Sequence, residues 1–229
     1  MVFAALYIRY GLPTITKRSY CYKMFASGIF LINGLIGYFY YNNSIFSKWV
    51  LLGLAFGCLG DVVIALEPFI KENEKKKKRN TIAVTIGGAL FFIGHLMYIV
   101  AFAKELKLTE SFIPVLYFCI VGGIIAVAFV TFAFTKIRMG KFTIPIAFYA
   151  LAITSMLALS VNVALTSTTG GIPFKIVMFV APLFFVISDT TIVLRFFDKQ
   201  KYGTYPIRII NLGTYFIAQM LFGLAMYLK

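Results

Sequence analysis

Three side chains that can carry a proton lie inside long apolar stretches of this sequence. Asp61 sits in Gly57-Cys-Leu-Gly-Asp61-Val-Val-Ile-Ala-Leu66, and Asp189 sits in Phe185-Val-Ile-Ser-Asp189-Thr-Thr-Ile-Val-Leu194. His95, the only histidine, sits in Phe91-Phe-Ile-Gly-His95-Leu-Met-Tyr98. Ionisable groups deep in an apolar segment are expensive, so they face the interior of a bundle and mark function. Two carboxylates and an imidazole are proton donors and acceptors, which makes acid–base chemistry the first expectation. The plainer alternative for His95 is a buried ring satisfied by one hydrogen bond.

Further polar groups gather around these three. Arg208, Asn211, Tyr215 and Gln219 are spaced three, four and four apart, so they share one helix face. Ser188 puts a hydroxyl beside Asp189, and Tyr149 falls at about the depth of the carboxylates. Such stripes can simply join helices. Together they outline a pocket toward the cytoplasmic leaflet. One histidine excludes a three-histidine zinc hydrolase. A mixed Asp/His metal site is a weak alternative, and neither a metal nor another cofactor is expected. No Gly-x-Ser-x-Gly elbow and no Gly-rich phosphate loop with lysine occurs.

The elements that must hold these residues are membrane helices. Of the 229 residues 61% are hydrophobic and 13% charged, against about 45–50% and about 25% in an ordinary soluble domain. Mean hydropathy is +0.90. Soluble enzymes, DNA-binding domains and disordered chains are excluded. Although the net charge is +14, the basic residues fall in short runs between apolar blocks, so no nucleic-acid partner is expected. Apolar blocks place spans at 23–41, 47–67, 81–103, 112–134, 142–165, 172–197 and 206–228. A short apolar segment at 1–12 adds a partial first helix. The expected fold is all-α: a transmembrane bundle of seven full spans plus a short N-terminal helix, eight in all, forming one domain over 1–229. Cys21, Cys58 and Cys119 have no paired spacing, so no disulfide framework is expected.

Sixteen basic residues collect on one side of these spans, including Lys17, Lys23, Lys71, Lys75 to Arg79, Arg195 and Arg208. Five lie on the other: Lys48, Lys104, Lys107, Lys175 and Lys229. The positive-inside rule puts the sixteen in the cytoplasm. The spans bearing Asp61 and Asp189 then run in the same direction, with both carboxylates roughly 6–8 Å cytoplasmic of midplane at 1.5 Å per residue.

Five blocks in order resemble the YhhN-like lysoplasmalogenases, integral membrane proteins of bacteria and of eukaryotic endomembranes. They are Gly53-Leu-Ala-Phe-Gly-Cys-Leu-Gly-Asp61, Gly94-His-Leu-Met-Tyr-Ile-Val-Ala-Phe102, Pro145-Ile-Ala-Phe-Tyr149, Ala181-Pro-Leu-Phe-Phe-Val-Ile-Ser-Asp189 and Thr214-Tyr-Phe-Ile-Ala-Gln219. Two features depart from the family: the stunted first helix, and Lys23-Met24 where Lys-Pro is usual. The resemblance implies hydrolysis of the vinyl ether bond of a lysoplasmalogen to a fatty aldehyde and glycerophosphoethanolamine or glycerophosphocholine. It implies a lysophospholipid substrate in the endoplasmic reticulum or another endomembrane, or in the plasma membrane if the chain is bacterial. One of Asp61 and Asp189 would donate the proton while the other stays ionised, as between the two carboxylates of glycosidases. His95 would orient water or share the proton. Asn211, Tyr215 and Gln219 would bind the glycerol hydroxyl, with Tyr149 and Ser188 beside them, and Arg208 would meet the phosphate. The alternative function is a non-enzymatic lipid-binding or lipid-transport protein using the same pocket.

The charge asymmetry yields the first prediction. A single cysteine placed in segment 68–80 is labelled from the cytoplasmic side of sealed vesicles, and one at position 229 from the opposite side. The reverse pattern overturns the orientation.

Overall fold

The computed structural model describes residues 17–65, 74–106, 122–123 and 140–229. Regular structure among them is helical throughout: α1 Lys17–Ile36, α2 Ile45–Ala65, α3 Glu74–Glu105, α4 Thr143–Thr166, α5 Ile172–Phe197 and α6 Tyr205–Leu228. A π-helical turn, Gly37–Tyr41, extends α1, and a one-turn helix, Lys199–Tyr202, precedes α6. All six long helices contain a stretch long and apolar enough to cross a membrane, and the chain is an integral membrane protein.

Six spans therefore stand among the described residues, where the sequence pattern gives seven and a short N-terminal helix. The expected span at 112–134, apart from Gly122 and Gly123, and the segment 1–12 lie outside the described residues. The bounds of α5 coincide with those read from sequence, and α2, α4 and α6 agree within two residues. Two helices start earlier than hydropathy indicates. α1 begins at Lys17 rather than 23, and α3 begins at Glu74, so Lys75 to Arg79 extend a helix instead of forming a loop. Hydropathy marks where the chain enters lipid, not where helix begins. Lysine and arginine are good helix formers and carry the helix on into water. Proline at the second position and an extended cap residue start α5 and α6.

The helices meet in a ring, α1–α2–α3–α4–α5–α6 and back to α1, with α2 also touching α6 across it. Contacts at the two ends fix their directions. At one end Lys229 Nζ lies 2.6 Å from Glu105 Oε2, and Ser167 Oγ donates to Glu105 Oε1 at 3.2 Å, so α3, α4 and α6 all finish there. At the other end Lys23, early in α1, meets Asp61, late in α2, and Arg195, late in α5, meets Asn211, early in α6. Thus α2 and α5 run against the other four, and the two acidic helices are parallel, as the loop charges require.

Lipid tails are as apolar as leucine, so helices in a bilayer associate through close packing and hydrogen bonds rather than hydrophobic expulsion. The outer surface accordingly carries large apolar side chains such as Phe39, Ile45, Phe148, Leu165 and Ile176. Inside, glycines let backbones approach. A Cβ on Gly53 would lie 2.5 Å from the Tyr98 ring, and one on Gly94 would lie 3.2 Å from the Gly53 carbonyl oxygen. The same steric logic explains one irregularity in α5. Pro182 has no N–H to offer the carbonyl of Met178, and Ser160 Oγ of α4 donates to that carbonyl instead.

Gly53→Ala should lower stability by about 1–3 kcal/mol, since the fully buried Tyr98 ring cannot retreat. Gly88→Ala, with nothing within 4 Å of the new Cβ, should be neutral or stabilising by up to about 1 kcal/mol. Thermal unfolding of the two variants in detergent checks the pair, and equal effects would contradict the packing described.

Candidate functional site

Asp61 is 2% exposed and surrounded by donors from two neighbouring helices. Lys23 and Ser27 are four apart on α1, hence on one face. Lys23 Nζ lies 3.0 Å from Asp61 Oδ1, and Ser27 Oγ donates to Oδ2 at 2.6 Å. From α6, Tyr215 OH donates to Oδ2 at 2.7 Å. Gln219, one turn on, donates from Nε2 to Tyr215 OH at 3.1 Å and accepts from Tyr98 OH of α3 at 2.7 Å. A hydrogen-bonded chain thus runs from Tyr98 through Gln219 and Tyr215 to Asp61. Each link is buried, so none can turn to water without unpairing the next.

A second group is built from α3, α4 and α5. Tyr149 OH donates to Asp189 Oδ2 at 2.7 Å, and His95 Nε2 lies 3.0 Å from both Asp189 Oδ2 and Tyr149 OH. His95 is 1% exposed, and its Nδ1 is buried without a hydrogen-bond partner among the described residues. Leaving a buried polar nitrogen unmatched costs about 1–3 kcal/mol. With Nε2 engaged by the carboxylate, Nδ1 is the ring atom left to exchange a proton with anything that enters. Phe185 separates this group from the first: its ring stands edge-on to His95 at 4.8 Å and to Tyr215 at 5.6 Å between centroids.

A third group lies one residue from Asp189. Asn211 Nδ2 donates to Ser188 Oγ at 3.0 Å and to the Ser188 carbonyl at 2.9 Å, while Asn211 Oδ1 accepts from Arg195 at 2.9 Å. Arg208, in the first turn of α6, is half-buried three residues before Asn211.

Asp61, Tyr215 and Gln219 therefore share one group; His95, Tyr149 and Asp189 share another; and Ser188 and Asn211 form a third. The stripe on α6 does face inward. Asn211, Tyr215 and Gln219 direct their hydrogen bonds to protein partners. Lys23, Ser27, Tyr98 and Arg195 are the members that sequence reasoning passed over. By sequence Lys23 and Arg195 count only among the sixteen basic residues of the cytoplasmic side, yet Lys23 is 6% exposed and ion-paired inside the bundle. The available signal was the Lys23/Ser27 spacing at the start of an apolar block. Among the described residues no group of three or more His, Cys, Asp or Glu is close enough to hold a metal ion.

Comparison with known families finds one match: the model of the YhhN family aligns with residues 20–226. Neither the curated proteins nor the solved structures gave a match.

Breaking a buried ion pair from one side strands the other charge, at a cost of about 3–5 kcal/mol. Asp61→Asn should therefore lower stability by about that amount, because the Lys23 ammonium loses the carboxylate it faces. Lys23→Met combined with Asp61→Asn should recover much of the loss, since the Asn oxygen still accepts from Ser27 and Tyr215. Thermal unfolding of the four members of this cycle measures the coupling. Strictly additive losses would show that the ion pair does not contribute as described.

Proposed function

The chain belongs to the YhhN family, and we propose that it is a lysoplasmalogenase-like hydrolase that cleaves the vinyl ether bond of lysoplasmalogens. The observation that carries this reading is the buried set of His95 Nε2, Tyr149 OH and Asp189 Oδ2, all within 3.0 Å of one another. A vinyl ether is inert to nucleophiles until the alkene carbon remote from the ether oxygen takes a proton. That step turns the adjacent carbon into an oxocarbenium ion. Water adds to this cation and releases a proton, giving a hemiacetal. Collapse of the hemiacetal breaks the carbon–oxygen bond to glycerol and yields one aldehyde and one glycerophospho-alcohol, with one water consumed. The site must therefore lend a proton, tolerate a cation and take a proton back.

The His95–Asp189 pair suits the lending and taking. A histidine held through one ring nitrogen by a carboxylate passes protons through the other, as in hydrolase triads. Tyr149 OH donates to the same Asp189 oxygen and lies 3.0 Å from His95 Nε2. Asp61 supplies a second carboxylate across Phe185, on the parallel helix. In this reading Arg208 meets the substrate phosphate at the cytoplasmic rim, and the glycerol hydroxyl lies along the α6 face that carries Asn211, Tyr215 and Gln219, with Ser188 beside it. The compartment is the endoplasmic reticulum or another endomembrane, or the plasma membrane of a bacterium, with the basic loops cytoplasmic.

The test is release of fatty aldehyde from a defined lysoplasmalogen by detergent-purified protein, with an ester lysophospholipid as control. A positively placed general acid or base contributes about 10²–10⁴ in rate. Asp189→Asn should lose that factor while the protein stays monodisperse, and His95→Gln should lose a comparable factor if Nδ1 carries the proton. Binding of the lysolipid without aldehyde release would instead identify a lipid carrier.

A further inference from the structure

Asp61 and Asp189 face different partners, and the difference assigns their roles. Asp189 faces an imidazole and a phenol, and the imidazole can either give or accept a proton. Asp61 faces donors: the Lys23 ammonium on Oδ1, and the Ser27 and Tyr215 hydroxyls converging on Oδ2. Donors directed at both oxygens favour the ionised form of a carboxyl. The ammonium has no lone pair to accept the proton of a neutral acid at Oδ1, and both hydroxyls donate at Oδ2. We propose that Lys23 is a positioning residue that holds Asp61 as the carboxylate of the pair. Asp61 then stabilises the oxocarbenium cation, and the proton enters from the His95–Asp189 side. This assignment rests on the vinyl ether reading given above.

The rest of the Asp61 surroundings agrees with it. On α2 itself, Cys58 precedes Asp61 by three residues and is the titratable neighbour on that helix. From α1 the facing groups are Lys23 and Ser27; from α6 they are Tyr215 and, through it, Gln219. From α3 the Phe91 ring stands edge-on to Tyr215 at 5.7 Å, an apolar cover rather than a second charge. Lys23 is thus the cation at this carboxylate among the described contacts. An ammonium buried to this degree is tolerated because a carboxylate pairs it. The same pairing that secures the lysine keeps the anion in place. Lys23 does not touch the reacting atoms in this scheme and acts through Asp61.

The experiment compares the wild type with Lys23→Met and Lys23→Arg, using full-length protein in detergent. Two readouts are taken: the pH profile of aldehyde release, and the infrared carbonyl band of a neutral carboxylic acid, identified by its loss in Asp61→Asn. Lys23→Met, which removes the ammonium from Oδ1, should change the acid limb of the profile and bring in the neutral-acid band. Lys23→Arg, which keeps the charge, should show the wild-type limb and no such band. A purely structural ion pair would instead lower turnover evenly across pH and leave the limb where it was, which would overturn the proposal. So would a neutral-acid band from Asp61 already present in the wild type at neutral pH. The infrared arm does not depend on turnover, so a wild type that releases no aldehyde refutes the hydrolase reading while the band still decides the role of Lys23.

Discussion

A polar side chain inside a bilayer has no water to fall back on, and the architecture of this protein follows from where its buried polar groups find partners. Asp61 draws Lys23 and Ser27 of α1 and Tyr215 of α6 to the end of α2, and through Gln219 it reaches Tyr98 of α3. Asp189 draws His95 of α3 and Tyr149 of α4 to α5. Asn211 and Ser188 join α6 to α5. Satisfying these few groups closes the ring of six helices. An alternative packing would leave a carboxylate or an ammonium unpaired at a cost of several kcal/mol, comparable to a large share of a membrane protein's net stability.

Close packing supplies what the hydrogen bonds do not. Glycines at 53, 60 and 94 bring α2 and α3 together, and Gly57 leaves room for Gln219 of α6, so the small-residue stripe and the polar chain are one device. Aromatic rings fill the remaining space, and Phe185 stands at their centre, edge-on to His95 and Tyr215 and tilted against Tyr98 and Phe222. A single ring thus forms both the partition between the two carboxylate groups and their common wall. The pairing of Pro182 with Ser160 follows the same principle: a helix irregularity inside the membrane is stable where a neighbour satisfies the freed carbonyl.

The same residues carry folding and the proposed chemistry, and the two demands pull apart at His95. A fold selected for stability alone would satisfy Nδ1, because an unmatched buried nitrogen lowers stability. Here the ring is fixed through Nε2, while Nδ1 is left unmatched. At Asp61 the demands coincide, since the ion pair that ties α1 to α2 also sets the proposed counter-ion against the carboxylate.

Much of this was legible in the sequence, because a bilayer imposes a one-dimensional rule. Apolar length marks spans, and loop charge sets direction, so the spans near 45–65, 143–166, 172–197 and 205–228 and the parallel course of the two acidic helices follow from the residue order. The rarity of ionisable groups in such spans singled out Asp61, His95 and Asp189, and a spacing of three and four put Asn211, Tyr215 and Gln219 on one inward face. Partnership was not legible. Lys23 reads as a loop cation by position along the chain, and only the approach of α1 to the end of α2 turns it into the counter-ion of Asp61. Likewise nothing local joins His95 to Asp189 rather than to Asp61: α3 packs against α2, which bears Asp61, yet His95 reaches Asp189 on α5. Hydropathy depends on each residue and its near neighbours. Pairing depends on which segments, 34 to 154 positions apart along the chain, share a depth and a face once the ring has closed.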